Sequence, residues 1–451
     1  MKILLHLLLS ITVITSFGQP GSLDLSFGNN GQATSQEAGY CKALAVQQDK
    51  KIIAAGNAYY SDENGDQSGF SLIRFKPNGG IDSSFGLNGI VRTPNKGTIT
   101  SVAALPNNKI LVGGTFDIVL GRYLPNGNID SSFGTNGFVH QFFPPFQYIY
   151  FNDMQLQDNG RIIMAGSASG NFPGAYIIVA RFLPTGKLDS SFGRNGYTVH
   201  NAAVDCNAVA IQPDGKIIIG GTSSSYKKFV TIRYNSNGSV DNSFGSSGVV
   251  VTDLTDGVKQ DYITGLAVQP DGKILAVGSC DNAFFKLGLV RYHPNGAPDK
   301  LFGNDGIVLL SYSRAYAPPS SVMVQPDNKI LVGGHYYTLT EPSTLAAWRF
   351  NINGTLDSSF GQNGMSAPES IIDIQISTDG LLQANNKMLV LGRKVDTNGG
   401  FNDSTIVVRF NVGEMPAIAA DGYKNPAATT LDPLHDVAGE LKKINPLNTG
   451  K

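Results

Sequence analysis

The chain has 451 residues and carries 34 basic against 35 acidic side chains, which gives a formal net charge of -1. This balance excludes a strongly basic nucleic-acid-binding surface and a polybasic membrane patch. Charged residues make up only 15% while 53 residues are glycine, a composition that favours many short strands joined by tight turns.

Residues 1–18 have the pattern of a secretory signal peptide. Lys2 supplies the positive charge, an apolar run follows over residues 3–17, and Ser16 and Gly18 are small residues at the two positions that a signal peptidase reads. The run is too short and too interrupted for a comfortable membrane span. We therefore expect a secreted or cell-surface protein with no transmembrane segment in the mature chain; an uncleaved anchor is the alternative.

Three sequence elements recur seven times between residues 19 and 412. The first is Asp-x-x-Phe-Gly, with its aromatic residue at Phe27, Phe85, Phe133, Phe192, Phe244, Phe302 and Phe360. The second is an apolar run ending in Gly and led by Lys51, Lys109, Arg161, Lys216, Lys273, Lys329 and Lys387. The third is an apolar strand that ends in Arg and an aromatic residue, at Arg74, Arg122, Arg181, Arg233, Arg291, Arg349 and Arg409. Repeats of this length are typical of solenoids and propellers.

Each repeat contains four strand-like segments. In the fourth copy they cover residues 208–211, 217–219, 229–234 and 249–251, separated by Pro-Asp-Gly and Asn-Gly turns. β-Branched runs bounded by such turns indicate antiparallel hairpins. The pattern predicts an all-β fold, a seven-bladed β-propeller of four-stranded antiparallel blades, with an open β-solenoid as the alternative.

The two ends of the repeat region complement each other. Asp24 and Phe27 precede any inner hairpin, whereas the last copy ends at Arg409 with no Asp-x-x-Phe-Gly element after it. We expect the segment near Gln32–Ser35 to be the outermost strand of the last blade, beside residues 405–410, with Asp24 near Arg409. Closing the ring in this way removes a free sheet edge, for which an open solenoid has no need.

Units such as QPDGKILAVG…LGLVRYHPNGAPDKLFGNDGIV resemble the delta-60 repeat, a propeller-forming family of exported bacterial proteins. The resemblance covers residues 22–412 and all seven copies; copy 2 departs at Leu105, where most copies have Gln, and copy 7 has an insertion before Gln383. It implies a propeller fold and an extracytoplasmic setting. It carries no established catalytic residues.

In six copies the Arg precedes the Asp of the next element by eight positions. The pairs are Arg74/Asp82, Arg122/Asp130, Arg181/Asp189, Arg233/Asp241, Arg291/Asp299 and Arg349/Asp357. We interpret them as structural, with Arg spanning the turn and Asp accepting turn N–H groups, since one ligand site does not need so many copies. The repeated Phe is likewise interpreted as blade-to-blade packing. The alternative is a ring of charged ligand contacts.

The three cysteines, Cys41, Cys206 and Cys280, are predicted to be isolated thiols. Cys41 and Cys206 occupy the same position in blades 1 and 4, which places them beyond disulfide reach across a wide channel.

One polar loop is a weak candidate for a Ca²⁺ site. Asp62, Asn64 and Asp66 alternate as the early ligands of a Ca²⁺ loop do, but Gln67 and Ile73 replace the usual Gly and bidentate Glu. We expect no tight Ca²⁺ binding and no other cofactor.

The candidate ligand-binding residues are aromatic. In an up-and-down blade the connections after strands two and four share one face, and here these connections vary in length while those of the opposite face are monotonous. They contain Tyr59, Tyr60, Phe142, Phe143, Phe146, Tyr148, Tyr312, Tyr316, Tyr336 and Tyr337. Such loops are the usual location of recognition, and their aromatics suit a glycan or a protein partner. The alternative is that they plug the ends of the blades.

No hydrolase elbow, zinc-protease motif or phosphate loop occurs, and residues 413–451 indicate a flexible tail with one short helix. The sequence therefore favours an exported, non-enzymatic binding or surface-interaction propeller. The alternative is a carbohydrate-active hydrolase or lyase with carboxylates at the channel mouth, because propeller enzymes assemble sites from several blades.

Overall fold

The structure, a computed structural model, describes residues 18–62, 65–94, 97–115, 119–170, 176–201, 204–223, 227–255, 261–282, 284–312, 315–340, 342–371, 374–394 and 404–413. The only helical segment in these ranges is a 3₁₀ turn at Pro106–Asn108. Within the same ranges, no helix has the length and hydrophobicity needed to cross a membrane.

The β-strands form seven antiparallel sheets, one for each repeat. From the inner to the outer strand, blade 1 consists of Tyr40–Val46, Ile52–Asp62, Gly65–Phe75 and Ile90–Pro94. Blade 2 consists of Thr98–Ala104, Ile110–Thr115, Leu120–Tyr123 and Phe138–Val139. Blade 3 consists of Tyr148–Leu156, Ile162–Ser169, Tyr176–Phe182 and Tyr197–His200. Blade 4 consists of Val204–Ile211, Ile217–Ser223, Phe229–Tyr234 and Val249–Thr252. Blade 5 consists of Asp261–Val268, Ile274–Asn282, Phe284–Tyr292 and Ile307–Leu310. Blade 6 consists of Pro319–Val324, Ile330–Thr338, Thr344–Phe350 and Met365–Ser366, with an extra short strand, Ala315–Tyr316. Blade 7 consists of Ile374–Gln383, Lys387–Lys394, Ser404–Asn411 and Gln32–Ser35.

The hydrophobic core is divided into layers between neighbouring blades. The layer between blades 1 and 2, for example, contains Ile53 and Leu72 of one blade and Ile110 and Val112 of the next. Because both faces of the middle strands are covered in this way, their side chains are apolar on both faces, as in the fully buried strand Ile110–Thr115. The predicted seven-bladed propeller is confirmed.

The ring is closed by the two ends of the repeat region. Gln32–Ser35 pairs antiparallel with Ser404–Asn411, and the register places Gln32 opposite Val408. Asp24 Oδ2 lies 2.9 Å from Arg409 Nε. The strand from the N-terminal side therefore satisfies the edge of the last blade, and the solenoid alternative is wrong.

Each blade contains an ion triad in which two cations meet one carboxylate. In blade 2, Asp130 Oδ2 lies 2.7 Å from Arg122 Nε and 2.9 Å from Lys109 Nζ, while Oδ1 accepts the N–H and hydroxyl of Ser132. The equivalent triads are Lys51/Arg74/Asp82, Arg161/Arg181/Asp189, Lys216/Arg233/Asp241, Lys273/Arg291/Asp299, Lys329/Arg349/Asp357 and Lys387/Arg409/Asp24. The Arg and Asp of each repeat are thus in direct contact, and the Lys or Arg that leads the apolar run is an unpredicted third member.

The arginine of each triad also joins its blade to the next one. Arg122 Cζ lies 4.5 Å from the centre of the Phe133 ring, and its Nη1 donates to the carbonyl of Pro184 in blade 3 at 3.0 Å. The corresponding acceptors are Pro125 for Arg74, Ser236 for Arg181, Pro294 for Arg233, Ile352 for Arg291, Val412 for Arg349 and Pro77 for Arg409. All seven repeat phenylalanines are 0% exposed, as residues that pack between blades are.

Replacing Asp24 tests the ring closure against a matched control in the middle of the chain. Asp24→Ala and Asp130→Ala each leave two partly buried cations without their carboxylate, so we expect each to reduce the free energy of unfolding by about 3 kcal/mol. Thermal melts followed by circular dichroism measure the effect. An unchanged melting temperature for Asp24→Ala beside a lowered one for Asp130→Ala would contradict a closed ring in solution.

Removing residues 19–36 from the mature chain is a stronger perturbation. The truncation exposes the edge of Ser404–Asn411 and removes the buried Phe27 ring, whose loss alone costs about 3–5 kcal/mol. We expect a large fall in the melting temperature together with increased aggregation, measured by light scattering. A truncated chain as stable as the intact one would show that the N-terminal strand is dispensable.

Candidate functional site

The inner strands of the seven blades surround a central channel. Its cavity has a volume of about 500 Å³ and widens into a mouth of about 580 Å³. The mouth lies where the inner strands begin, so it opens on the face formed by the connections after strands two and four, called the variable face below. Residues of all seven blades line it.

Every inner strand contains a β-bulge, a residue without a partner in the neighbouring strand. The bulged residues are Lys42, Thr100, Asn152, Asn207, Thr264, Ser320 and Thr378. A bulge bends the strand and redirects the side chain. All seven side chains are polar and half-buried, and all line both the channel and its mouth. We call this set the bulge belt.

Several side chains of the bulge belt bond to the inner strand of the next blade. Asn152 Nδ2 donates to the carbonyl of Cys206 at 2.6 Å, and Asn207 Nδ2 donates to the carbonyl of Ile263 at 3.0 Å. Thr100 and Thr378 make equivalent bonds to blades 3 and 1. These bonds hold adjacent blades together and fix the orientation of the belt.

Lys42 differs from the other members of the bulge belt. Its ammonium makes no hydrogen bond and no ion pair with any residue that the structure describes, and it lies 5.7 Å from the centre of the Tyr40 ring. Burial lowers the pKa of Lys42. Among the described residues that line the mouth, Lys42 is the only one with a lysine, arginine or carboxylate side chain.

Two carboxylates lie in the channel directly after the bulge. Asp153 Oδ2 accepts the N–H of Val209 in blade 4 at 2.8 Å, and Asp379 Oδ2 accepts the N–H of Leu44 in blade 1 at 2.8 Å. In both residues Oδ1 accepts the N–H of the next residue at 2.7 Å. Both oxygens of each carboxylate are therefore already bound by backbone groups.

The burial of these two carboxylates in the propeller raises their pKa values. Both side chains touch the channel, yet protein surrounds them on the other sides. Burial raises the pKa of Asp153 to about 7, and the nearby Asp379 carboxylate adds to the increase. Burial raises the pKa of Asp379 to about 6. The backbone hydrogen bonds oppose both increases but do not cancel them.

A stack of three rings borders the mouth in blade 6. Tyr337 lies parallel to Tyr316, with ring centres 4.5 Å apart and an interplanar angle of 6°, and parallel to His335 at 5.8 Å and 8°. His335 Nδ1 accepts the N–H of Ser377 at 3.2 Å, and burial lowers the pKa of His335 to about 4. The imidazole is therefore neutral, and its position is fixed. Tyr262 lines the same mouth.

In blade 6, the structure separates the predicted aromatic residues into two groups. Tyr337 lines the mouth and Tyr316 supports it. Tyr312 accepts a hydrogen bond from the buried Trp348 at 2.9 Å and packs against Tyr336, with ring centres 5.5 Å apart. The second pair thus covers the end of the blade.

The blade 3 aromatics do not converge on the mouth. Phe143 is 1% exposed and packs edge-to-face on Phe151, and Phe146 is partly buried. Phe142 and Tyr148 are 85% and 47% exposed. Phe143 therefore plugs the blade, while Phe142 projects from the variable face.

The segment after Asn57 is a hairpin and not the loop that the sequence suggested. The strands Ile52–Asp62 and Gly65–Phe75 continue nearly to the turn, with Tyr59 opposite Ser68 and Tyr60 opposite Gln67. Continued pairing satisfies backbone groups that a loop would leave to water. The Tyr59 and Tyr60 side chains lie outside the described set.

The proposed Ca²⁺ candidate also lies outside the described residues: Asn64 is not described, nor are the side chains of Asp62 and Asp66. That these residues do not form a tight Ca²⁺ site stays a prediction. Elsewhere in the described ranges, no group of three His, Cys, Asp or Glu side chains is arranged to hold a metal ion.

The three cysteines are free and buried, which confirms the predicted isolated thiols. Burial raises the pKa of Cys41 to about 12, and those of Cys206 and Cys280 are raised for the same reason. Neutral, enclosed thiols are poor nucleophiles, so none belongs to the candidate site.

The bulge belt is what sequence reasoning missed. Each of its members stands five positions before the Gln of the repeat, which copy 2 replaces with Leu105, as Lys42 stands before Gln47 and Asn207 before Gln212. A polar residue at that fixed position of an otherwise apolar strand is a signal that could have identified the belt.

Six segments of the chain match the family model described as "Domain of unknown function (DUF5122) beta-propeller", namely residues 47–85, 105–133, 157–192, 212–244, 269–302 and 325–360. Each segment ends at the repeat phenylalanine of blades 1 to 6. Residues 251–284 also match the model of the WD domain, G-beta repeat. No sequence among curated proteins matches this chain.

Solved structures with similar folds include the polysaccharide lyase Uly1, at 11% identity and a TM-score of 0.50, covering 88% of this chain and 93% of that one. A protein of unknown function from Dyadobacter fermentans DSM 18053 has 12% identity and a TM-score of 0.41, with coverage of 88% and 99%. A copper-bound fungal alcohol oxidase of the AA5 family has 14% identity and a TM-score of 0.45, with coverage of 83% and 75%. At 11% identity the similarity to Uly1 concerns the fold alone. The other two structures have TM-scores of 0.41 and 0.45 and support no argument. By fold the chain is a seven-bladed propeller, and six of its repeats match the DUF5122 beta-propeller family model.

Proposed function

We propose that this protein is an exported, non-enzymatic binding propeller that holds a saccharide at the channel mouth on the variable face. The observation that carries the proposal is the mouth itself, a cavity of about 580 Å³ to which all seven blades contribute side chains. Its volume is within the range of known ligand pockets. The resemblance of the repeats to the delta-60 type, which is typical of exported proteins, supports the exported setting.

The chemistry of the mouth suits a sugar ring. Tyr40, Tyr262 and Tyr337 supply aromatic rings, which pack against the apolar faces of sugars. The amide oxygens of Asn152 and Asn207 make no hydrogen bond with described residues, although their amide nitrogens are bound. They are therefore available to accept sugar hydroxyls while their orientation is already fixed.

The alternative function, a carbohydrate-active hydrolase or lyase, is favoured by one observation, the presence of Asp153 and Asp379 in the channel. A general acid or nucleophile must reach the substrate with its own oxygen or proton. Here all four carboxylate oxygens accept backbone N–H groups, and the bonds to Val209 and Leu44 tie blade 3 to blade 4 and blade 7 to blade 1. This arrangement supports a structural role and hence the binding proposal.

Tyr337→Ala tests the proposed location. The mature chain is first screened on a glycan array, and the dissociation constant of the best ligand is then measured by calorimetry. We expect Tyr337→Ala to weaken binding about tenfold, because a stacking surface is removed. Phe142→Ala, which truncates the exposed blade 3 aromatic, is expected to leave it unchanged.

Two results would overturn this proposal. If Phe142→Ala weakened binding and Tyr337→Ala did not, the binding site would lie at blade 3 and not at the channel mouth. A wild-type chain that binds no glycan would remove the saccharide proposal altogether.

The pH dependence of stability tests the structural role of the channel carboxylates. An Asp has a pKa of about 3.9 in the unfolded chain. Because the folded-state pKa values of Asp153 and Asp379 are raised to about 7 and about 6, their contribution is fully present below about pH 4 and is lost progressively as the pH rises from there through the folded-state values. The triad carboxylates behave in the opposite way: burial alone would raise the pKa of Asp82, but its hydrogen bonds and cations lower it to about 2.

We therefore expect the melting temperature of the wild type to be highest near pH 4 and to fall between about pH 4 and pH 7. The double variant Asp153→Asn/Asp379→Asn should lose this decline and keep the decline in acid. Melts at intervals from pH 2 to pH 9 measure both slopes. A wild-type melting temperature that is equal at pH 5 and pH 8 would contradict the prediction.

A further inference from the structure

We infer that the channel mouth is selective for a saccharide that carries one negative charge on the bound sugar ring, and that Lys42 pairs with that charge. This inference rests on the proposed saccharide-binding function and adds the substrate class. A uronic acid carboxylate and a sulfate half-ester share the required chemistry.

The first argument is the absence of a partner for Lys42. The lysines that lead the apolar runs all lie close to a carboxylate, as Lys109 does at 2.9 Å from Asp130 and Lys329 at 2.8 Å from Asp357. Lys42 has no such partner among the described residues. A half-buried ammonium without a counter-charge is costly, and an anion entering the mouth would reduce that cost.

The second argument is the position of Lys42. It occupies the blade 1 position of the bulge belt, where the other blades have the neutral residues Thr, Asn or Ser, and it borders both the channel and its mouth. The bulge fixes its backbone and directs the side chain away from the strand pairing. A cation at this position meets any ligand that enters from the variable face.

The third argument is the contact between Lys42 and Tyr40. Lys42 Nζ lies 5.7 Å from the centre of the Tyr40 ring, which also borders the mouth. Aromatic rings pack against the apolar faces of sugars, so the Lys42 charge lies beside a ring that suits a sugar. Charge recognition and ring recognition therefore occur side by side.

The number of charges limits the ligand. Among the described residues that line the mouth, one cation, Lys42, lacks a partner, and this matches a monoanion, whereas a phosphate monoester carries about −1.5 to −2 charges at neutral pH. Asp153 and Asp379 lie deeper in the channel and repel additional negative charge as they ionise. A singly charged sugar ring fits this distribution better than a phosphorylated one.

The test measures binding of three probes to the intact mature chain by calorimetry: trigalacturonate, its carboxyl-reduced neutral counterpart, and a sulfated galactan trisaccharide with one sulfate per ring. We expect at least one charged probe to bind about tenfold more tightly than the neutral one, with a preference that weakens in high salt. The charged probe that binds more tightly shows whether the charge is a uronic acid carboxylate or a sulfate half-ester.

Variants of Lys42 then assign the preference. Lys42→Met should reduce binding of the charged probe about tenfold and leave the neutral probe unchanged, while Lys42→Arg should retain the preference. Lys300→Met, which removes an exposed lysine on the opposite face, is the matched control and should have no effect. Circular dichroism of each variant verifies the fold.

The outcomes separate the two proposals. Equal binding of charged and neutral probes, with both weakened by Tyr337→Ala, would overturn the inference and leave the saccharide-binding function intact. A charge preference that survives Lys42→Met would also overturn it. Absence of binding by all three probes, together with a negative glycan array, would overturn both.

Discussion

The arginine at the end of the third strand of each blade is the contact on which the rest of the structure depends. Its guanidinium binds the Asp of its own blade, lies 4.3–4.9 Å from the repeat Phe ring, and donates to a turn carbonyl of the next blade. The contact occurs seven times, and the last one joins Arg409 to Asp24 and Pro77 from the opposite end of the chain. Because each blade is fixed to the next by the same geometry, the inner strands meet around a channel of defined width.

Structure and recognition are assigned to different parts of the same repeat. The ion triad is nearly identical in all seven blades, as a contact that sets blade geometry must be. The bulge belt varies from blade to blade and contains a lysine in blade 1 alone. Asp153 and Asp379 follow a bulge directly, and their carboxylates accept backbone N–H groups of the neighbouring blade. Lys42 makes no such bond among the described residues, and this difference separates a candidate recognition residue from the structural ones.

Most of the variable-face aromatics that the structure describes contribute to packing. Phe143, Tyr312 and Tyr336 close the ends of their blades, because the long connections leave apolar surface that must be covered. Tyr337 is the predicted residue whose ring reaches the mouth, and it does so as part of a stack with Tyr316 and His335. The aromatic content of a loop is therefore a weaker indicator of a site than its position relative to the channel.

The sequence by itself determined the number of blades, the closure of the ring and the Arg–Asp pairs. Each of these follows from short motifs at fixed spacing, and the offset of Asp24 from Arg409 leaves one way to complete the last blade. Only the tertiary structure decided which side chains face the channel, because each inner strand contains a bulge that shifts the alternation of inward and outward residues. It also decided that Lys109 joins its triad and that Tyr337 lines the mouth with Lys42. Those partners lie in different strands or different blades, and their distances are set by how the blades pack and not by their spacing along the chain.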